Sequence, residues 1–343
     1  MKTHTLPLSG PAAQFVTDWN AYKYEVQKVI VGLEDVIQLA GIAFFSNGHF
    51  LMEALPGAGK TTLAEALSAA IKDGVGGFFP GTADLMPMDI IGSKAWNPET
   101  KRLEIQPGAI TDKMNIVVVD ETNRLAPKTA SALLEVMQGR RINIQGHSMP
   151  CADPFLVIGT QNPIEQEGTY PMPEALLDRF AMRLSLKRLS RELEIELTCR
   201  PAVYAVRQAE AAGVVQVLTP TRMREMRNYA QSLPIEPAVS AYIVDLVRAT
   251  DPNCAEFTHM PKEFKELVQA GSGLRGSIWL TSTARAHAAM RGSDQVHVSD
   301  VQAVAPYVLQ HRITLTPDAR FNGSKGLEQK IVEALIECVP TVR

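Results

Sequence analysis

"EALPGAGKTT", residues 53–62, is the stretch on which the fold turns. It has the spacing of a phosphate-binding loop, G-x-x-x-x-G-K-[ST], except that Ala54 stands where the first glycine belongs. Such a loop works by converging backbone N–H groups on anionic oxygens at a helix N-terminus, and that takes a tight turn. Pro56, Gly57, Ala58 and Gly59 can make the turn, Lys60 supplies a point charge, and Thr61, followed by Thr62, offers a hydroxyl to Mg²⁺. Alanine is the next smallest residue after glycine, so the departure at position 54 is mild. An ordinary glycine turn ahead of a helix fits the loop equally well when it stands alone.

The neighbouring pattern decides between them. "HFLMEAL" (49–55) reads as a strand entering the loop, and "TTLAEALSAAIKD" (61–73) as the helix leaving it. "NIVVVD" (115–120) is a run of β-branched residues without polar alternation, the signature of a strand covered on both faces of a parallel sheet. "PFLVIGTQN" (154–162) is a second such strand and "AMRLSL" (181–186) a third, with "PKTASALLEVMQ" (127–138) a helix between. "DWNAYKYEVQKVI" and "LEDVIQLAGIAFF" read as two leading helices. Strands alternating with helices predict an α/β nucleotide-binding core over residues 1–187.

Past a connecting segment, 188–218, strand signals fade. "LTPTRMREMRNYAQSL" opens with Thr219 as N-cap and Pro220 at the first helical position. "VSAYIVDLVRAT", "TARAHAAMR", "VSDVQAVAPYVLQHR" and "LEQKIVEALIEC" continue with helical periodicity. Residues 219–343 therefore read as a smaller all-helical lid, interrupted over 251–276 by an inserted loop with one helix, "PKEFKELVQA".

A P-loop triphosphatase needs a carboxylate for the metal at the tip of a buried strand, and Asp120 ends "NIVVVD" in that position. Glu121 follows, placed to orient or deprotonate an attacking water. Two solvated charges at a strand exit are the plain alternative, less fitting after four apolar residues and downstream of the loop.

"DETNRLAPKTASALLEVMQ" (120–138) and "GTQNPIEQEGTYPMPEALLDRF" (159–180) resemble segments of the MoxR family of AAA+ ATPases, the second nearly letter for letter. "ADLMPMDIIG", "QPGAI" and "VAPYVLQHRITLTPDA" are similar to further family segments, so the resemblance runs from about Val31 to the end. It implies an AAA+ P-loop core with a five-stranded parallel sheet and hairpin inserts, followed by the helical lid. It implies an Mg²⁺-dependent ATP hydrolase that forms a homo-oligomeric ring, a hexamer, and remodels or activates a protein client, one bearing a von Willebrand factor A-type domain. A chelatase-type motor subunit or a nucleic-acid translocase of the same clade is the alternative; a nucleotide-gated scaffold that does not hydrolyse is a third. By the same resemblance Asn162 is the sensor-1 residue, Arg179 the arginine finger offered to a neighbouring subunit, and Arg285 the sensor-2 arginine near a helix N-terminus. The family has S-P-R-A there, where this chain has Thr283-Ala284 before the arginine. "SKAWNPETKRLEIQPGAI" (93–110), turning at Asn97-Pro98, and "RRINIQGHSMPCADP" (140–154), turning at Gln145-Gly146, resemble the family's two hairpin inserts. Arg140 and Arg141 then line a pore or sit on a solvated edge.

Composition narrows the rest. The 34 Lys and Arg against 37 Asp and Glu give net charge −3, without the basic surplus of a dedicated nucleic-acid binder. The four cysteines are scattered, suiting buried hydrophobes in a reducing cytoplasm, and no H-E-x-x-H, G-x-S-x-G or D-x-S-x-S pattern occurs. "VIQLAGIAFF" is too short, and too broken by Gln38, to span a membrane, so a cytoplasmic chain without membrane insertion is expected.

Overall fold

The computed structural model describes residues 10–54, 60–162, 172, 174–186, 188–199, 208–254, 259–322 and 326–341. Helices α1 (Gly10–Gln27) and α2 (Glu34–Ser46) lead into the core. The core then runs β1 (Phe50–Glu53), α3 (Lys60–Ala69), β2 (Gly76–Pro80), α4 (Pro87–Ile91), β3 (Ser93–Asn97), β4 (Arg102–Gln106) and β5 (Ile116–Asp120). It continues with α5 (Pro127–Gly139), β6 (Arg141–Ile144), β7 (His147–Pro150), β8 (Leu156–Gln161), α6 (Glu174–Leu177) and β9 (Met182–Ser185).

Five strands form one parallel sheet in the order β2-β5-β8-β1-β9. Successive residues of one strand feed two cores. Ile116 and Val118 join the cluster with α1, α2 and α3, whereas Val117 and Val119 face α5. All four are fully buried, each contributing roughly 1.5–3 kcal/mol by leaving water, which is why β5 carries no polar alternation. β2 has no such signature: its sequence is Gly-Gly-Phe-Phe-Pro and Phe78 is partly exposed at the sheet edge.

Both hairpins form. β3 pairs with β4, and β6 with β7 through a turn whose Gln145 and Gly146 both have positive φ, 45° and 83°. Lys94 Nζ donates to Gln145 O at 3.0 Å and ties one hairpin to the other. The two arginines entering the second hairpin have structural partners, Arg140 half-buried and Arg141 exposed on the edge strand. Arg140 donates to Phe155 O and Asn47 O, both at 2.6 Å, and Arg141 Nε donates across the hairpin to Ser148 Oγ at 2.8 Å.

After β9 come α7 (Arg191–Thr198), α8 (Gln208–Ala211), α9 (Pro220–Ser232), α10 (Pro237–Arg248), α11 (Lys262–Lys265), β10 (Val268–Ala270), α12 (Leu274–Met290), α13 (Val298–Leu309), β11 (Thr314–Leu315), α14 (Pro317–Asn322) and α15 (Leu327–Cys338). Thr219 accepts from the Arg222 N–H as the N-cap of α9. The expected helix over 261–270 is shorter than its pattern, because Val268–Ala270 pairs antiparallel with β11 instead. α12 starts at Leu274, well before the periodic "TARAHAAMR", since exposed Leu274 and Ile278 hide its first turns from an amphipathic reading. No helix among the described residues is long and apolar enough to cross a membrane.

Candidate active site

Strands β1, β5 and β8 all end at one edge of the sheet, and that edge gathers the predicted phosphate-site residues. Ala54 is buried, keeps out of the left-handed backbone region, and donates its N–H to Gln161 O at 3.0 Å. It extends the β1–β8 ladder, so position 54 needs no glycine. Pro56, Gly57, Ala58 and Gly59 lie outside the described residues. Lys60 opens α3, almost fully buried, and its Nζ donates to Asp120 Oδ1 at 2.7 Å. Thr61 is exposed and Thr62 half-buried on the same first turn, where the helix dipole favours an anion.

Asp120 also accepts from Thr160 Oγ1 on β8. Thr160, fully buried, is a hub that residue patterns did not single out: its Oγ1 accepts from the Glu121 N–H at 3.1 Å and its carbonyl from Thr122 Oγ1 at 3.0 Å. The available signal was a hydroxyl ending an apolar run, two residues before Asn162. Glu121 stands at φ 48°, ψ 51°, a left-handed conformation that costs a non-glycine residue about 1 kcal/mol or more. That kink turns its side chain off the strand axis, where Oε2 lies 2.8 Å from Arg124 Nε. Gly81 is pressed against the same turn. Its N–H donates to Asp120 O at 2.7 Å, and a Cβ there would sit 2.6 Å from that oxygen and 2.7 Å from Glu121 O. Asn162 is buried directly after β8, and 163–171 of its motif lie outside the described residues.

At the C-terminal end of β9 a cavity of about 250 Å³ opens between core and helical segment, lined in part by Gly32, Leu33, Leu186, Tyr307, Gln310 and Gln329. Glu53 and Ser185 are register partners, so this cavity lies at the same sheet edge as Lys60. Among the described residues no group of three or more His, Cys, Asp or Glu is placed to hold a metal.

Arg179 is elsewhere. It precedes β9, at the opposite end of the sheet from Asp120. Ala181 N–H pairs with His49 O, and the registers of β1, β8 and β5 put that level three residues below Asp120. Three strand steps separate them sideways, giving roughly 10 Å along and 14 Å across. Arg179 does not pair with Asp178. Asp178 is taken by Arg275, in the first turn of α12, and by Arg312 Nε at 3.2 Å. Arg285 is not near a helix start, which corrects that expectation: it lies deep in α12 and donates to Leu233 O at 3.0 Å. Arg275 occupies the first-turn place instead.

Comparison with known proteins agrees with this geometry. Residues 49–182 match the model of the ATPase family associated with various cellular activities (AAA), and residues 265–335 match the AAA lid domain. Chaperone MoxR1 of Mycobacterium tuberculosis is 36% identical over 86% of this chain and 75% of its own length. The chain belongs to the MoxR family. Bacillus subtilis YeaC, itself uncharacterized, is 36% identical over 92% of both chains. A crystal structure of a provisionally described ATPase from Cytophaga hutchinsonii superposes with TM-score 0.84 at 31% identity, covering 97% of each chain. This MoxR-family protein is thus an AAA ATP hydrolase with a nucleotide-binding core and a lid of the AAA type.

Proposed function

We propose that the chain is an Mg²⁺-dependent motor that works as a homo-oligomeric ring, a hexamer, and uses ATP hydrolysis to remodel or activate a partner protein. The separation of Asp120 from Arg179 across one parallel sheet carries this reading: a single protomer holds two halves that cannot meet within it.

The residues suit the ligand. Lys60 is a nearly buried cation whose counter-charge is Asp120, and phosphate oxygens offer the same neutralisation from the α3 N-terminus. Lys60, with Pro56, Gly57, Ala58, Gly59, Thr61 and Thr62 of its motif, would hold the triphosphate; Thr61 and Asp120, both oxygen donors, would hold magnesium. Bound there, magnesium neutralises charge developing on the transferred phosphoryl group. Glu121 then orients the attacking water and accepts its proton, Asn162 fixes the water's direction, and Thr160 holds the Asp120–Glu121 turn. The 250 Å³ cavity beside β9 takes the base. Arg179 of the next protomer, with Arg275 beside it on Asp178, completes the site.

The partner-protein role follows from likeness to the chaperone MoxR1, and a protein with a von Willebrand factor A-type domain is the expected client. Arg179→Ala should still bind ATP but turn over about a thousandfold more slowly. Turnover within a few-fold of wild type would sink the shared site. Stimulation by a co-purifying protein, with none by DNA, separates the remodelling role from translocation.

A further inference from the structure

β9 is an edge strand, and the segment that feeds it, Asp178–Ala181, carries Arg179. On an edge, the carbonyls of such a segment have no neighbouring strand to bond them. Here they are taken by side chains from Gln310–Arg312, the turn that ends α13. Gln310 Nε2 donates to Arg183 O at 2.6 Å. Arg312 does most: Nη2 donates to Phe180 O at 2.7 Å and Asp178 O at 3.2 Å, and Nη1 to Ala181 O at 3.3 Å. Its Nε reaches Asp178 Oδ1, and Nη1 also bonds Val308 O on its own helix.

The side chain of Arg312 is only 3% exposed. Burial brings its pKa down to about 10, and it remains a cation at neutral pH. Burial and this charge hold His311 well below the usual imidazole range, and its Nε2 lies 2.7 Å from Arg312 Nη1 and 3.0 Å from Phe180 O. Every bond from Arg312 to the β9 entry goes to Asp178, Phe180 or Ala181, on either side of Arg179. Arg179 itself is half-buried, with no side-chain hydrogen bond or ion pair among the described residues. The frame is locked, and among the described residues nothing holds the side chain.

We propose that Arg312 is a positioning residue for the donor half of the shared site: it sets where Arg179 and, through Asp178, Arg275 stand, and it links them to α13. The inference rests on the shared-site reading above. Arg312 fixes the backbone that presents Arg179 and the Asp178 carboxylate that holds Arg275. Lysine keeps the charge but lacks the planar fork that spans three carbonyls and a carboxylate.

Subunit mixing tests this. Arg312→Lys and Asp178→Asn should each lower kcat on the order of a hundredfold, the cost of about 1 Å of misplacement, while KM for ATP stays within about twofold because the Lys60 end is untouched. Glu121→Gln alone should be inactive with its Arg179 intact. Mixed with Arg312→Lys, it should restore turnover at seams where the Arg312→Lys subunit supplies the pocket and Glu121→Gln the arginines. A protomer that is merely misfolded regains nothing. Arg179→Ala mixed with Glu121→Gln is the control. If that pair recovers and the Arg312→Lys pair does not, the positioning role falls and the shared site stands; if the control pair stays dead, both fall. A parallel rise in KM, or failure of Arg312→Lys to co-assemble with Glu121→Gln in sedimentation, also overturns the proposal.

Discussion

The two ends of the parallel sheet are built on opposite principles. At the C-terminal ends, charged groups meet one another in a half-open setting: Lys60 with Asp120, Glu121 with Arg124, and a left-handed turn at Glu121 held by Thr160. At the N-terminal ends, arginines are sunk among backbone carbonyls. Arg140 ties Phe155 and Asn47 ahead of β8 and β1; Arg312 does the same ahead of β9. Burial brings both guanidinium pKa values down to about 10. The first end is arranged to exchange partners with a ligand, the second to keep the ones it has. Damage to the first should remove chemistry and spare the fold, and damage to the second at Arg140 should do the reverse.

The largest effect expected is at the open end: Lys60→Ala should lose nucleotide binding and turnover to background, with its melting temperature in the absence of nucleotide close to wild type. A large fall in that temperature would show that the ligand end is structural too. Gly81→Ala comes next. Its methyl must displace the Asp120 and Glu121 carbonyls, and a shift of about 1 Å there should cost on the order of a hundredfold in kcat. Unchanged kcat would mean the turn gives way freely. At the closed end, Arg140→Met leaves the carbonyl of buried Phe155 without its donor, while exposed Asn47 O can turn to water, and should cost about 1–3 kcal/mol in urea unfolding, with turnover per folded protein within twofold. A catalytic loss larger than the stability loss would blur the division.

The smallest effect concerns His49, also at the closed end. Its Nδ1 accepts from the Val157 N–H, so Nε2–H donates to Met137 O. Burial, then the charge of Arg140, lowers its pKa to about 3. The unfolded histidine titrates near 6.5 and binds the proton the folded one refuses. Stability is therefore complete above pH 6.5 and falls as pH drops toward 3, by about 1.4 kcal/mol per unit from this residue. His49→Gln should show a shallower acid slope in urea titrations between pH 6.5 and 5; an unchanged slope would assign the acid sensitivity to other groups.

Much of this contrast was legible in residue order, unevenly. β5 and β8 announced themselves because strands buried on both faces admit almost only apolar residues, β1 by its short apolar run, and the edge strand β9 by the alternation of Met182 and Leu184 with Arg183 and Ser185. β2 did not, since an edge strand of Gly-Gly-Phe-Phe-Pro has neither alternation nor a β-branched run. That Lys60 and Asp120 belong to one site followed from their motifs, though their direct ion pair did not, and Thr160 matters through three hydrogen bonds that a one-dimensional pattern does not encode. Arg285 drew the eye because Ser282-Thr283-Ala284-Arg285-Ala286 resembles the S-P-R-A segment of the family, within a regular helical stretch. That regularity reflects tight packing in mid-helix, and the true start of α12, with Leu274 and Ile278 facing solvent, looks like a loop in sequence.

The closure of β9 by Gln310 and Arg312 has a bearing on solubility. A flat, unpaired outer strand is a template on which another chain can add and seed fibrils. Here Arg183 O on β9 and the carbonyls of Asp178, Phe180 and Ala181 just ahead of it are already claimed by bulky polar groups. The opposite flank, β2, begins with two glycines and stops at Pro80, a poor docking rail for an incoming strand. The sheet can thus be crowded against copies of itself at high concentration with little tendency to grow sideways.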